Sequence, residues 1–208
     1  MQIAFRYFTS VFGTALLFVA SASFARAAEK APAFQSIFNG KDLTGWAVPT
    51  PNPFWRVENG VLIGSNDEKQ TGSMLKTEKS YKNFVIELDA RVEDPMDSGL
   101  FMRTPALQMQ IGKSISLKKE MTGSFYINKG AYIEAGQAKD AVKLLKHGEW
   151  NTIRLEAKGD TFTVWLNGTQ ASRYTNPGYP DAGPISVQVH QKIGGKVEFR
   201  NIRVAELP

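Results

Sequence analysis

The 208-residue chain contains no cysteine and only two histidines, His147 and His190. Without cysteine there can be no disulfide scaffold, thiolate zinc site or cysteine nucleophile. No GxGxxG follows a strand-like run, which argues against a Rossmann-type flavin or nicotinamide site. No block of like charge exists: Lys118-Lys119 is followed at once by Glu120. Nucleic acid is therefore not an expected partner. After the first 27 residues no apolar run approaches the length of a membrane span. Those first residues read as a secretory signal peptide, with Arg6 as the basic end, the apolar run Val11 to Ala22, and Ala25-Arg26-Ala27 as the cleavage pattern. Removing them leaves 23 basic and 20 acidic side chains, a net +3. Because no cysteine follows the leader, no lipid anchor is expected. The remaining chain, 28–208, reads as one soluble domain that is exported to the periplasm or secreted.

What is present is strand-like. Phe84 to Val92 alternates over nine positions, with Phe84, Ile86, Leu88, Ala90 and Val92 on one face. Glu87, Asp89 and Arg91 occupy the other face. Residues 150–158 and 161–166 repeat the pattern, and Asn167-Gly168 behind them is a strong two-residue hairpin signal. Asn59-Gly60 and Gly159-Asp160 are further turn candidates. Strands are also expected at 54–57, 60–64, 98–103, 107–111, 123–127, 184–190 and 196–206. In the last of these the apolar alternation slips by one, which a bulge near Arg200-Asn201 would repair. Helical periodicity is weak except over 139–146. The fold class that follows is all-β, an antiparallel β-sandwich.

The polar faces of several strands carry more than ordinary solvated side chains. Glu87 and Asp89 share a strand face, and Arg103 closes the segment Ser98-Gly99-Leu100-Phe101-Met102. Gln108 and Gln110 alternate with apolar residues, as do Ser124 and Tyr126, and Gln188 and His190. Gathered on one curved sheet, such groups would form a polar groove suited to sugar hydroxyls, and Trp165 is the outward-facing aromatic ring. Trp46 and Trp55 read as core residues. His190 is the one titrating outward group of its strand.

The quoted motifs resemble the 3-keto-disaccharide hydrolase domain family. The resemblance starts at Phe38-Asn39-Gly40-Lys41-Asp42-Leu43-Thr44-Gly45-Trp46 and runs through Trp55 to Leu62 and Phe84 to Arg91. Asp97-Ser98-Gly99-Leu100-Phe101-Met102-Arg103 is similar to the family's Asn-Ser-Gly-hydrophobic-Phe-x-Arg segment. Gly148 to Thr152, Trp165 to Gly168, Gln188-Val189-His190 and Phe199 to Arg203 complete it. The resemblance implies a concanavalin-A-like jelly roll. It also implies action on glycosides whose C3 hydroxyl is oxidised to a ketone, by elimination of the C1 oxygen followed by hydration. That chemistry needs a base and an oxyanion stabiliser, and on the matched positions it assigns His190 as the proton-transfer group and Arg103 as the stabiliser of charge at the C3 oxygen. Asp89 or Glu87 would be a second acid/base or the orienter of Arg103. Gln108, Gln110, Gln188, Tyr126 and Trp165 would hold the sugar, with Tyr126 placed to protonate the leaving group.

The chain departs from the family pattern at two places. Gln108 stands where relatives carry an acid in a Glu-x-Gln arrangement, and Lys113 stands where an Asp is expected. The stretch from Gly112 to Thr122 is also unusually basic. No cofactor is expected, and nothing in the sequence supports a bound divalent cation. Three other readings remain open: a non-catalytic, lectin-like carbohydrate-binding domain, a structural or envelope-interaction module, and, ranked low, a two-carboxylate glycosidase using Glu87 and Asp89.

Overall fold

A computed structural model describes residues 33–103, 107–127 and 131–208. The expected signal peptide, residues 1–27, lies outside the described residues. In chain order the strands are β1 (Gln35–Ser36), β2 (Trp46–Ala47), β3 (Trp55–Glu58), β4 (Val61–Ser65), β5 (Ser73–Tyr81), β6 (Phe84–Val92), β7 (Asp97–Met102) and β8 (Leu107–Ser114). They continue as β9 (Lys119–Glu120), β10 (Phe125–Ile127), β11 (Ala131–Tyr132), β12 (Asn151–Lys158), β13 (Thr161–Leu166), β14 (Thr169–Thr175), β15 (Gly183–Val189) and β16 (Lys196–Glu206). One helical turn, α1 (Ala141–Leu144), is all that forms of the helical stretch expected over 139–146.

The strands form two antiparallel sheets. The first has the order β14-β13-β12-β6-β16-β4-β3, with β1 added against β16. The second has the order β11-β10-β8-β7-β15-β5-β2, with β9 paired to β8. The alternating residues that sequence assigned inward close the space between them: Phe84, Ile86 and Leu88 from the first sheet, and Leu100, Met109 and Val187 from the second, are each at most 1% exposed. The chain is an all-β sandwich, as its period-2 patterning requires.

Local chemistry fixes the corners. Asn59 and Gly60 have φ of +52° and +79°, and Asn167 and Gly168 have +49° and +85°. Both pairs adopt the mirror-image turn whose twist matches the strands it joins. The expected bulge is present: β16 shifts register against β6 between Arg200 and Arg203, with Asn201 at φ +55°. Besides the two-residue strands β1, β2, β9 and β11, two longer strands are not evident from periodicity. β5 carries Lys76, Glu78 and Lys79, and its inward Thr77 answers the core with hydrogen bonds from its hydroxyl to Lys79 O and from Ile185 N–H. β14 is an edge strand of mostly polar residues, anchored by Ser172 donating to Gly123 O.

Candidate functional site

Each sheet has a polar outer face, and the two faces differ in hydrogen bonding. On the first sheet, β6 lies between β12 and β16, so Glu87 faces Arg154 and Arg203 across the ladder. Arg154 Nη1 and Arg203 Nη2 each donate to Glu87 at 2.6 Å, one to each carboxylate oxygen. These hydrogen bonds hold the Glu87 carboxyl below its ordinary range, although burial pushes it the other way. Asp89 accepts from Thr152 at 2.8 Å on one oxygen and from Asn201 at 2.8 Å and Arg200 at 3.2 Å on the other. Trp165 lies against Arg154, and Trp150 is stacked between Arg91 and Arg200. A recess of about 450 Å³ runs beside the two carboxylates. Every oxygen of both is occupied by a neighbour in the same sheet, so these groups lock strands together.

On the second sheet, β7 is paired with β8 and β15, and side chains of one parity point away from the core. That parity contains Asp97, Gly99 and Phe101 on β7, Gln108 and Gln110 on β8, and Ser186 and Gln188 on β15. Cross-strand register sets Gly99 opposite Gln110 and Phe101 opposite Gln108. Tyr126 on β10 is opposite Gln108 from the other side. Gly99 leaves room for the Gln108 side chain, since a Cβ at that position would come within 2.5 Å of Gln108 Nε2. Gln108 therefore lies over Gly99, and its Nε2 donates to Gln110 Oε1 at 2.7 Å. Gln110 Nε2 in turn donates to Asp97 Oδ1 at 2.7 Å, and Asp97 Oδ2 accepts from Ile115 N–H at 3.1 Å. Gln188 Oε1 is 3.4 Å from Gln108 Nε2. Although these groups face away from the core, Asp97, Gln110 and Tyr126 are all at most 5% exposed, which marks a recessed site rather than an open surface.

His190 follows β15 at the same end as Asp97, whose backbone carbonyl accepts the His190 N–H at 3.3 Å. Its Nδ1 is 2.7 Å from Gln191 O, which can only accept, so in the neutral ring Nδ1 carries the hydrogen and the lone pair is on Nε2. Burial pushes the Asp97 carboxyl above its ordinary range; the Gln110 hydrogen bond, the nearby His190 and Ile115 N–H pull it back only in part. Beyond this end of the sheet, a cleft of about 880 Å³ is lined by Met96 and Gly112, which flank Asp97, and by Lys113, Glu120 and His147.

The structure thus brings together Gln108, Gln110, Gln188, Tyr126 and His190 of the expected site, and leaves four others elsewhere. Glu87, Asp89 and Trp165 belong to the outer face of the opposite sheet. Arg103 is a correction to the expected geometry. Its N–H bonds Pro184 O, at the far end of β15 from His190. Its backbone has φ +65°, which turns the side chain in toward the end of the core. There the guanidinium donates to Lys82 O and Gly159 O at 2.8 Å and to Pro180 O at 3.2 Å, and it stacks on Phe162. Arg103 ties three connecting segments together and does not reach the amide cluster. Asp97 is the group whose place in the cluster the sequence pattern did not single out. The available signal was its parity with Gly99 and Phe101, which places it on the outward face. Among the described residues no three His, Asp or Glu side chains converge as metal ligands would, and no helix is long and apolar enough to cross a membrane.

Comparison with known proteins agrees with this architecture. A candidate glycosyl hydrolase from Parabacteroides distasonis ATCC 8503 superposes with a TM-score of 0.63 at 22% identity, over 84% of this chain and 94% of that one. A Bacillus subtilis protein of unknown function with a galectin-like fold gives 0.57 at 11% identity, over 84% and 94%. The kappa-carrageenase of Pseudoalteromonas carrageenovora, solved with an oligotetrasaccharide, gives 0.57 at 10% identity, over 88% and 98%. At these identities the likeness establishes the jelly-roll fold and no more. No curated protein matches the chain significantly. Residues 33–205, nearly everything after the leader-like segment, match one family model, and the chain belongs to the 3-keto-alpha-glucoside-1,2-lyase-like domain family.

Proposed function

We propose that this protein is an exported enzyme that cleaves the glycosidic bond of 3-keto-glycosides at the outer face of its second sheet. The observation that carries the reading is the recessed cluster of Gln108, Gln110, Gln188 and Asp97 beside a histidine whose Nε2 lone pair is available. A C3 ketone acidifies the hydrogen at C2. His190 Nε2 takes that proton, the electrons pass through C2 toward C1, and the C1–O bond breaks with its electron pair leaving on the aglycone oxygen. The aglycone oxygen takes up a proton, a role this reading gives to Tyr126, which lies opposite Gln108 in the sheet. Water then adds across the resulting enone, so the net reaction is hydrolysis without an oxocarbenium ion. The glutamine amides supply the directed donors and acceptors that sugar oxygens need. Glu87, Asp89, Trp165 and Arg103 serve the scaffold in this proposal.

The test is to incubate the purified protein with a 3-keto-disaccharide and measure the sugars released. His190→Ala is expected to lower the rate by about 100-fold or more. No release by the wild type would overturn the reading, and full activity of the variant would remove His190 from it. A second reading, carbohydrate binding without turnover, is favoured by one observation: Asp97 is the only carboxylate bonded into the amide cluster among the described residues. Calorimetry with unoxidised glycans separates the two, since heat of binding without any product supports the second.

A further inference from the structure

The hydrogen bonds of the cluster have a direction, and that direction starts at Asp97. An ionised carboxylate can only accept, and Asp97 Oδ2 already takes Ile115 N–H while Oδ1 takes an amide hydrogen from Gln110. Gln110 must therefore turn its Nε2 toward Asp97 and its Oε1 toward Gln108. Gln108 must then present Nε2 inward, to Gln110 Oε1 at 2.7 Å and, at 3.4 Å, to Ser98 O and Gln188 Oε1. This leaves Gln108 Oε1 and Gln188 Nε2. Neither has a partner among the described residues, and neither is a sealed-off buried atom. The amide orientations follow from the accept-only carboxylate at one end, so a choice between O and N at each glutamine is no longer arbitrary.

We infer that Asp97 is a specificity-determining positioning residue: its charge sets the polarity of three glutamine amides so that the site offers a ligand one acceptor, Gln108 Oε1, beside one donor, Gln188 Nε2. This rests on the proposed 3-keto-glycoside function and adds to it a basis for recognising the ketone. A sugar hydroxyl can donate or accept and fits either polarity. A ketone oxygen only accepts, so it fits Gln188 Nε2 and is refused by Gln108 Oε1, and a neighbouring hydroxyl donates to Gln108. The oxidised sugar is thus the ligand that senses the relay.

Asp97→Asn inverts the relay at the cost of one long contact, the 3.4 Å approach of Gln108 Nε2 to Ser98 O. The introduced amide must keep its oxygen on Ile115 N–H, because its nitrogen there would set donor against donor. That nitrogen then faces Gln110, and Gln110, Gln108 and Gln188 each turn over. The site now offers a donor at 108 and an acceptor at 188. Gln108→Glu alone sets a carboxylate against Gln110 Oε1. The double variant satisfies Gln110 again, with the new carboxylate at position 108 accepting from its nitrogen and the new amide at position 97 donating to its oxygen.

The first measurement uses the free protein. The side-chain amide NMR resonances of Gln108, Gln110 and Gln188 are followed through the ionisation of Asp97. They are expected to move together with one midpoint, above the free-aspartate value of 3.8, and to lose it in Asp97→Asn. The other titrating groups felt by Asp97 are His190 and Glu120. Repeating the titration in His190→Gln and Glu120→Gln backgrounds should keep the common midpoint. Movement of Gln110 alone overturns the relay. Thermal midpoints supply a cycle: Gln108→Glu should be less stable than the wild type, and adding Asp97→Asn should recover stability. A strictly additive loss overturns the relay.

Calorimetry with methyl 3-keto-α-glucoside and methyl α-glucoside tests the ligand half. Asp97→Asn should bind the ketone about tenfold more weakly, and the unoxidised sugar as before. Equal losses for both sugars, or none, overturn the assignment of Gln108 Oε1 and Gln188 Nε2 as ligand contacts. If the wild type ignores the keto-sugar while the titration and the cycle come out as expected, the 3-keto-glycoside function fails and the relay stands.

Discussion

Replacing Arg103 distinguishes a scaffold role from a catalytic one. Its guanidinium makes three hydrogen bonds to carbonyl oxygens, those of Lys82, Gly159 and Pro180, in a residue only 2% exposed. Bonds to a charged donor are each worth about 1.5–3 kcal/mol net, so their gross contribution is about 5–9 kcal/mol. Burial acts against this. It lowers the Arg103 pKa, with partial compensation from Asp181, Tyr179 and Asp160, and Nη2 is buried without a partner among the described residues. Arg103→Ala also strands three carbonyls at a closed corner. Gly183 shows how closed the corner is, since a Cβ there would lie 1.6 Å from Arg103 O. A net loss of about 3–5 kcal/mol is expected, the range for breaking a buried charged network. For a domain of this size that lowers Tm by roughly 10 °C, readable by thermal denaturation. Arg103→Lys should fall nearly as far, because one ammonium cannot reach three diverging carbonyls in a fixed fork. Loss of turnover or sugar binding with Tm unchanged would refute this reasoning and return Arg103 to the reaction.

Two further substitutions probe the two polar faces. Glu87→Gln should destabilise the protein at neutral pH. The folded-state pKa of Glu87 is lowered, so its contribution is present above the unfolded value near 4.5 and disappears as pH falls through the folded one. The Tm gap between variant and wild type should therefore narrow as pH falls below 4.5 and through the lowered folded-state value; a gap that is constant with pH would show that the Arg154 and Arg203 bonds to Glu87 do not stabilise the sheet. Gly99→Ala would drive its Cβ into Gln108, 2.5 Å from Nε2 and 2.7 Å from Cγ. A glutamine side chain can move aside, so the fold should survive while sugar affinity falls about tenfold with the lost amide bond. Unchanged affinity would remove Gln108 from the site.

The sandwich was legible in the sequence because its core strands obey strict alternation, and Phe84 to Val92 is the clearest case. β5 was not, because Thr77 and Lys79 occupy positions between Leu75 and Tyr81 that periodicity reserves for apolar residues, and β15 pairing supplies what they lack. For the site, parity told outward from inward correctly at Glu87, Asp89, Gln108, Gln110 and Gln188. Parity cannot say to which sheet an outward residue belongs. That depends on β6 lying between β12 and β16 while β8 and β15 flank β7, a matter of long-range pairing. Arg103 escaped for a different reason: on parity alone it belongs with Phe101 and Asp97. A positive φ in a residue other than glycine breaks that parity, and nothing in the local sequence announces it.

The two outer faces contain the same kinds of residue, and hydrogen-bond accounting separates them. On the first sheet every carboxylate oxygen of Glu87 and Asp89 meets an arginine, a threonine or an asparagine of a neighbouring strand, so both groups are held in place within the sheet. That saturation argues against a two-carboxylate glycosidase, for which both groups must reach a scissile bond. On the second sheet the chain of donors ends in two amide atoms, Gln108 Oε1 and Gln188 Nε2, that have no partner among the described residues. One departure noted in the sequence, Gln108, has a counterpart there. The resembling family segment begins with Asn where this chain has Asp97, and its Glu-x-Gln places an acid where this chain has Gln108. Those positions lie on either side of the Gln110 amide, one bonded to each of its ends. An acid at one end and an amide at the other satisfies Gln110 in either arrangement. The carboxylate absent at position 108 has its counterpart at Asp97, and the site keeps one negative charge on the relay while the polarity of Gln110 is reversed.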